Sequence, residues 1–207
     1  MTDPLDDFRA DHGSVLTTER LTLRRMVETD LPDLAAILQD AETMVAYEGP
    51  FTDAEVRRWL ERMQERDRTD GFSMWAVQLD GVGPMIGQCG VTWQFIGDER
   101  VIEVGYLFNR AHWHRGYAIE AARACRDWAF RELGADRVHS IIRDTNIASM
   151  NVAIRNAMTV RRRFVKHYRG VDMPHFDFAI DRGTWEALRR LANRWADPRK
   201  GWQEEQT

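Results

Sequence analysis

Hydrophobic spacing along the chain alternates between a period of two and a period near 3.6, the pattern of strands interleaved with helices. Leu21, Leu23 and Arg25 alternate within VLTTERLTLRRM (15–26), which predicts a strand. In LPDLAAILQDAE (31–42), Leu31, Leu34, Ala35 and Leu38 share one helical stripe. FTDAEVRRWLERMQERD (51–67) opens with a Thr52/Glu55 capping box and buries Val56, Trp59, Leu60 and Met63. FSMWAVQLD (72–80), MIGQCGVTWQFIG (85–97) and ERVIEVGYLFN (99–109) read as three antiparallel strands, joined through Gly81, Gly83 and Gly97-Asp98.

After a basic turn comes a helix, RGYAIEAARACRDWAFREL (115–133), with Ala118, Ala121, Ala122, Cys125, Trp128, Ala129 and Leu133 on one face and Gly134 to end it. A strand (137–144), a short helix (147–158, with Ala148 and Val152 at its spacing) and a hairpin over 161–182 around Gly170-Val171 follow. A Thr184-capped tail helix (184–200) carries Trp185, Leu188, Leu191 and Trp195 as a stripe that packs on its own domain or on a second copy, making a homodimer. The order β-α-α-β-β-β-α-β-α-β-β-α predicts one mixed α/β (α+β) domain over 15–182, an arm over 1–14 and a helical tail over 183–207.

Composition narrows the class. With 207 residues, 43% of them hydrophobic, the chain suffices for one core. Net charge of −4 gives no global field for nucleic acid, so no nucleic-acid partner is expected. Within RRRFVKHYR (161–169) the local positive charge reads as a solvated strand edge or as an attraction for an acidic acceptor. Two cysteines, Cys89 and Cys125, form neither a disulfide framework nor a zinc set and suit a reducing, cytoplasmic setting. The acidic N-terminus is unlike a secretory signal, and no run reaches the roughly 18 apolar residues of a membrane span, so no membrane partner is expected. His112 and His114 lack a third ligand at convincing spacing, so no metal is expected.

Chemistry concentrates in FNRAHWHRGYAIEAARA (108–124). A helix starting near Gly116 presents amide groups without helical partners and a partial positive charge, a site suited to anions. Gly116 and the small Ala118 let a bulky anion approach, while His112, His114 and Arg115 add donors. Trp113-His114-Arg115-Gly116-Tyr117-Ala118 resembles the Gln/Arg-x-x-Gly-x-Gly/Ala pyrophosphate signature of GNAT-superfamily N-acetyltransferases, in particular the ribosomal-protein-alanine-acetyltransferase-like branch. IEVGYLF (102–108) before it is similar to that family's fourth strand, and DTNIASMNVAIRNAM (144–158) after it to the Asn-x-x-Ser motif.

The resemblance implies a GNAT fold, with a mostly antiparallel sheet splayed between the family's fourth and fifth strands (here 99–109 and 137–144). It implies acetyl-CoA as cofactor, released as coenzyme A. The pantetheine arm would lie along Tyr106, Leu107 and Phe108, with Asn146, Ser149 and Asn151 beside it. Trp113 departs from the signature, leaving the first phosphate contact to backbone. Ala153 stands where some relatives carry an acidic tyrosine.

The implied reaction moves acetyl directly to a primary amine, of a protein N-terminus or a small molecule. The alternative is a coenzyme A-binding sensor or scaffold without catalysis. Glu103, projecting opposite Ile102, Val104 and Tyr106, is the base candidate and equally reads as a structural glutamate. Tyr168 is the acid candidate. Asn146 serves as helix cap or as donor to pantetheine. Tyr47 and Glu48, in AYEGPFT (46–52), are expected to recognise the amine, and Trp93 to line the acceptor site or the core.

Overall fold

The computed structural model describes residues 13–196. The arm over 1–12, the tail beyond 196 and the side chain of Trp195 lie outside the described residues.

The first predicted strand folds as a hairpin, β1 (Ser14–Thr17) and β2 (Leu21–Arg24). Thr18 makes the break: its hydroxyl oxygen accepts from the Leu21 N–H at 3.0 Å and its own N–H donates to the Leu21 carbonyl at 2.8 Å. A side chain that satisfies the backbone locally competes with a continuous ladder, and period-two spacing cannot show it.

Helix α1 (Leu31–Leu38) begins with proline in its first turn and stops at Gln39, short of the expected 42. Before it, Asp30 takes both guanidinium nitrogens of buried Arg24 at 2.7 Å and the Val27 N–H at 2.9 Å. In α2 (Asp53–Thr69), the Thr52/Glu55 box is formed on both sides. Val56, Leu60 and Met63 are buried as expected, each such side chain contributing about 1.5–3 kcal/mol. Trp59 instead remains partly exposed, its indole N–H donating to Gln88 at 2.9 Å.

Strands β3 (Met74–Leu79), β4 (Val82–Ile96) and β5 (Glu99–Phe108) form the antiparallel meander. Then come α3 (Tyr117–Glu132), β6 (Arg137–Arg143), α4 (Ile147–Arg155), and the hairpin β7 (Thr159–Tyr168) and β8 (Val171–Asp181). Helix α5 (Arg182–Ala196) starts two residues before the expected Thr184 cap. In α4 the buried position is Ala153, and Ala148 faces out.

All eight strands join one sheet in the order β1-β2-β3-β4-β5-β6-β8-β7. Every neighbouring pair is antiparallel except β5 and β6, which are parallel and register at one position only, Glu103 opposite His139. Helices cover both faces. Against one face, α3 packs Ala121, Ala122, Cys125 and Ala129 on Trp75, Cys89, Val91 and Val104. Trp185 of α5 stacks on Phe130 there at 4.8 Å between ring centroids. Against the other, α1 and α2 set Leu34, Ile37, Leu60 and Met63 on Met74, Ala76 and Met85. Beneath Phe72, β3 enters so close to β4 that a Cβ at Gly90 would stand 2.0 Å from the Ser73 carbonyl oxygen.

Candidate active site

Two parallel strands paired at one point must part on either side of it. Toward their C-terminal ends, β5 and β6 diverge, and a cavity of about 380 Å³ occupies the gap. Its lining comes from both faces of the sheet. On the α3 side stand Val104, Tyr106, Ser140, Ile142, Asn146 and Ser149; on the α2 side stand Tyr47, Trp59, Arg62, Arg66, Glu103, Lys166 and Tyr168. The sheet is therefore open from face to face at its middle. The edges of such a gap offer amide N–H and C=O groups to a peptide-like ligand.

Specific bonds fix the borders of the gap. The Ser140 hydroxyl donates to the Val104 carbonyl at 2.8 Å, and the Tyr106 hydroxyl donates to the Ser149 carbonyl at 2.9 Å, tying α4 to β5. Burial pushes the Tyr106 phenol well above its usual range, so it stays a donor. Asn146 caps α4, its side-chain oxygen accepting from the Ser149 N–H at 3.1 Å, and it lines the cavity as well. Asn151 is exposed on α4 and is not part of the lining. Leu107 lines the cavity, whereas Phe108 is buried over Gly87, where a Cβ would meet its ring at 2.5 Å. The Phe108 carbonyl accepts the Trp113 indole N–H at 2.8 Å.

The same bond turns Trp113 inward, against the core. Asn109 accepts from the Ala111 N–H at 3.0 Å, and His114 and Gly116 both take positive φ, +59° and +84°. Gly116 is the N-cap of α3 and supplies no side-chain bond to the first amides, so Tyr117 and Ala118 open the helix with free N–H groups. His114 and Arg115 are exposed beside them. His112 is half-buried, its Nδ1 has no partner, and burial, followed by the Arg115 charge, lowers its pKa.

A clamp fixes this turn from the opposite end of the sheet. Glu120 accepts from the Thr18 hydroxyl at 2.6 Å, the Arg20 N–H at 3.0 Å and Arg20 Nε at 2.8 Å. Arg20 also donates to the Arg115 carbonyl at 3.1 Å and lies over the Tyr117 ring at 4.8 Å. Helical spacing alone sets Glu120 off the apolar stripe of α3. The distance between Thr18 and Glu120 along the chain hid the contact. Open α3 amides, the Gly116 cradle and unpaired strand edges together fit a coenzyme A diphosphate and pantetheine arm.

Glu103 lies where β5 and β6 meet, its carboxylate accepting the Ile141 N–H at 3.1 Å. Burial raises its pKa, partly offset by Lys166, the Ile141 bond, Arg66 and His139. Tyr47 forms the adjoining wall, its ring edge-on to Phe51, Trp59 and Tyr168 at 6.4–6.5 Å. Tyr168 is exposed toward the cavity.

Two acceptor expectations need correction. Glu48 is outside the lining and forms an ion pair with Arg143, which also donates to the Val45 carbonyl at 3.1 Å. Trp93 is on the α3 face, against Phe72 at 5.9 Å and under Arg100 at 4.1 Å. Its neighbours Thr92 and Gln94 face the cavity instead, because successive strand residues point to opposite faces. Arg62, Arg66 and His175 were missed altogether, and Lys166 was read only within the basic run 161–169; the four-residue spacing of Arg62 and Arg66 beside the buried stripe was the available signal. Among the described residues, no group of three or more His, Cys, Asp or Glu side chains is placed to hold a metal, and no helix is long and apolar enough to cross a membrane.

An open parallel pair beside a bare helix N-terminus defines a class of coenzyme A-dependent acyl-transfer folds, and comparison with known proteins agrees. The acetyltransferase (GNAT) domain model matches residues 20–159, and the chain belongs to that family, whose members use acetyl-CoA. It is 37% identical over 139 residues to the YkkB protein of Bacillus subtilis, covering 67% of this chain and 81% of the relative. An acetyltransferase structure from Agrobacterium tumefaciens aligns with a TM-score of 0.67 at 28% identity, over 81% of this chain and 94% of the other. RimL, a ribosomal alpha-N-protein acetyltransferase solved with coenzyme A, shares the fold with a TM-score of 0.66 at 17% identity, over 81% and 97% of the two chains. The chain is an acetyl-CoA-dependent acetyltransferase.

Proposed function

We propose that the protein transfers acetyl directly from acetyl-CoA to a primary amine held on the α2 side of the gap, with Glu103 as the base. The observation that carries this reading is the single cavity running through the parted sheet, with Glu103 on its α2-side wall. Acetyl-CoA supplies the thioester. Everything else falls to the chain: the amides at 115–118 hold the diphosphate, the edges of β5 and β6 hold the arm, and Asn146 and Ser149 border it. An alkylammonium near pKa 10.4 must lose a proton before it can attack. A carboxylate whose pKa is raised by burial is a better-matched base than an exposed one at neutral pH. A backbone N–H on the open β5 edge meets the negative charge that develops on the carbonyl oxygen. Tyr168, on the same wall, is assigned to return a proton to the departing thiolate.

The alpha-N-protein acetyltransferase RimL suggests a protein N-terminus as acceptor, but at 17% identity that likeness carries only the fold. The test is thiol release from acetyl-CoA with an amine panel across pH. The wild type gains kcat/KM as pH rises through the Glu103 ionisation, and Glu103→Gln loses roughly 10²–10⁴-fold and that dependence. An unchanged pH profile in Glu103→Gln removes the base from the proposal. Tight coenzyme A binding without turnover of any amine favours a binding protein instead.

A further inference from the structure

The α2-side chamber carries more positive charge than an acyl-transfer site for a simple amine requires. Arg62 and Arg66 stand one helical turn apart on α2, and both line the cavity. Lys166 lines it from β7. Among the described residues, none of the three side chains has an ion-pair or hydrogen-bond partner. Glu103 is the acidic lining residue facing them, one carboxylate against three cations. Arg143 also lines the chamber, but Glu48 neutralises it.

This lack of partners is selective. In the basic run 161–169, Arg161 pairs with Asp181, Arg162 with Glu99 and Asp177, Arg163 with Asp144, and Arg169 with Glu55. Lys166, His167 and Tyr168 of that run line the cavity; His167 pairs with Asp172, whereas the Lys166 ammonium has no ion-pair partner among the described residues. Like charges at i and i+4 on a helix repel, so Arg62 and Arg66 side by side cost stability unless something anionic joins them. Burial, then the Arg66 charge, presses Arg62 below its usual pKa, and its guanidinium lies 4.7 Å over the Trp59 ring. Two guanidiniums one helical turn apart, that of Arg62 over the Trp59 ring, suit a carboxylate or phosphate.

The chamber is also roofed. Arg169 bonds Glu55 at 2.5 Å and Tyr168 packs edge-on against Tyr47, so the turn between β7 and β8 is latched onto the first turn of α2 and the segment before it. The pantetheine arm must share the same cavity, and the latch across it favours a small acceptor.

Resting on the transfer reading above, we infer that the acceptor is a small primary amine bearing an anionic group, its amine directed to Glu103 and its anion to Arg62, Arg66 and Lys166. A polyamine or a lysine side chain, which would bring a second positive charge or none to offset the cations, is disfavoured by the same arrangement.

The experiment measures acetyl-CoA-dependent acetylation of γ-aminobutyrate, its carboxamide, putrescine, phosphoethanolamine and a short neutral peptide with a free N-terminus. Expected is a kcat/KM at least roughly tenfold higher for an anionic amine than for the carboxamide or putrescine, carried mainly by KM. Arg62→Gln and Arg66→Gln should bring that ratio toward one, and Arg66→Lys should restore part of it. Coenzyme A calorimetry on each variant confirms the fold. Preference between γ-aminobutyrate and phosphoethanolamine tells whether a carboxylate or a phosphate is recognised. Equal or better use of the carboxamide, putrescine or the peptide, or variants that leave the ratio unchanged, overturns the inference while leaving the transfer reading standing. No turnover of any amine despite coenzyme A binding overturns both.

Discussion

Replacing Glu120 by alanine separates a clamp that serves the phosphate turn from one that merely joins two elements. The carboxylate gathers the Thr18 hydroxyl, the Arg20 N–H and the Arg20 guanidinium, while Arg20 alone reaches the Arg115 carbonyl inside the turn. Counting only the Thr18 and Arg20 main-chain bonds, at about 1 kcal/mol each, the loss is about 2 kcal/mol. For a chain of this length that lowers Tm by roughly 4–8 °C. Glu120→Gln keeps the oxygen that accepts from Thr18 and the Arg20 N–H and gives up only the partly exposed Arg20 guanidinium pair, so it loses about 1 kcal/mol or less.

Coenzyme A affinity, read by titration calorimetry, should weaken roughly tenfold in Glu120→Ala as Arg20 releases the turn, about 1.4 kcal/mol. Burial pushes the Glu120 pKa up, but the Thr18 and Arg20 bonds outweigh it and the net shift is downward. The stabilisation is therefore complete above the ordinary carboxylate pKa near ~4.3 and disappears as pH falls through the lowered value. The Tm gap between wild type and Glu120→Gln should close on acidification below that range. A full loss of stability with coenzyme A affinity unchanged within about twofold would refute the role assigned to the clamp.

Other outcomes follow from the same geometry. Because burial raises the Glu103 pKa, the folded state binds a proton more tightly than the unfolded chain, and stability falls as pH rises from the ordinary carboxylate range through the raised value. Glu103→Gln should therefore be at least as stable as wild type at pH 8 in urea denaturation while losing activity; a clear destabilisation there would make Glu103 structural. Asp30→Ala leaves Arg24 buried without its partner and should cost about 3–5 kcal/mol by the same assay, and a loss below about 1 kcal/mol would show that the pair contributes little. Gly116→Ala must hold an L side chain at φ +84° with its Cβ 3.4 Å from Arg20, costing about 1–3 kcal/mol and weakening coenzyme A binding; unaltered calorimetry would remove Gly116 from the site.

Much of this arrangement was legible from spacing and turn chemistry. The capping box at Thr52 and Glu55 and the core positions of α2 came directly from local pattern, as did the β3-β4-β5 meander and the helix that starts after Gly116. Local rules failed where a side chain replaced a backbone bond, as at Thr18, or where burial depended on what lay across the sheet, as for Trp59 and Trp93. Trp93 shows the sharpest limit: an aromatic in an alternating strand fits either face, and only the register with β5 sends Thr92 and Gln94 to the cavity. Glu48 was placed in the right loop, yet its pairing with Arg143 joins residues remote in sequence. The unpaired cations of the chamber were invisible for a related reason, since whether Lys166 or Arg163 finds a carboxylate depends on the neighbouring strands and loops.

A structure of the protein crystallised with coenzyme A tests the central claim most directly. The diphosphate should lie within hydrogen-bonding distance of the main-chain N–H groups of residues 115–118, with the pantetheine arm between β5 and β6 and its sulfur toward Glu103. Coenzyme A found elsewhere on the sheet, or a gap left empty at saturating ligand, would contradict it.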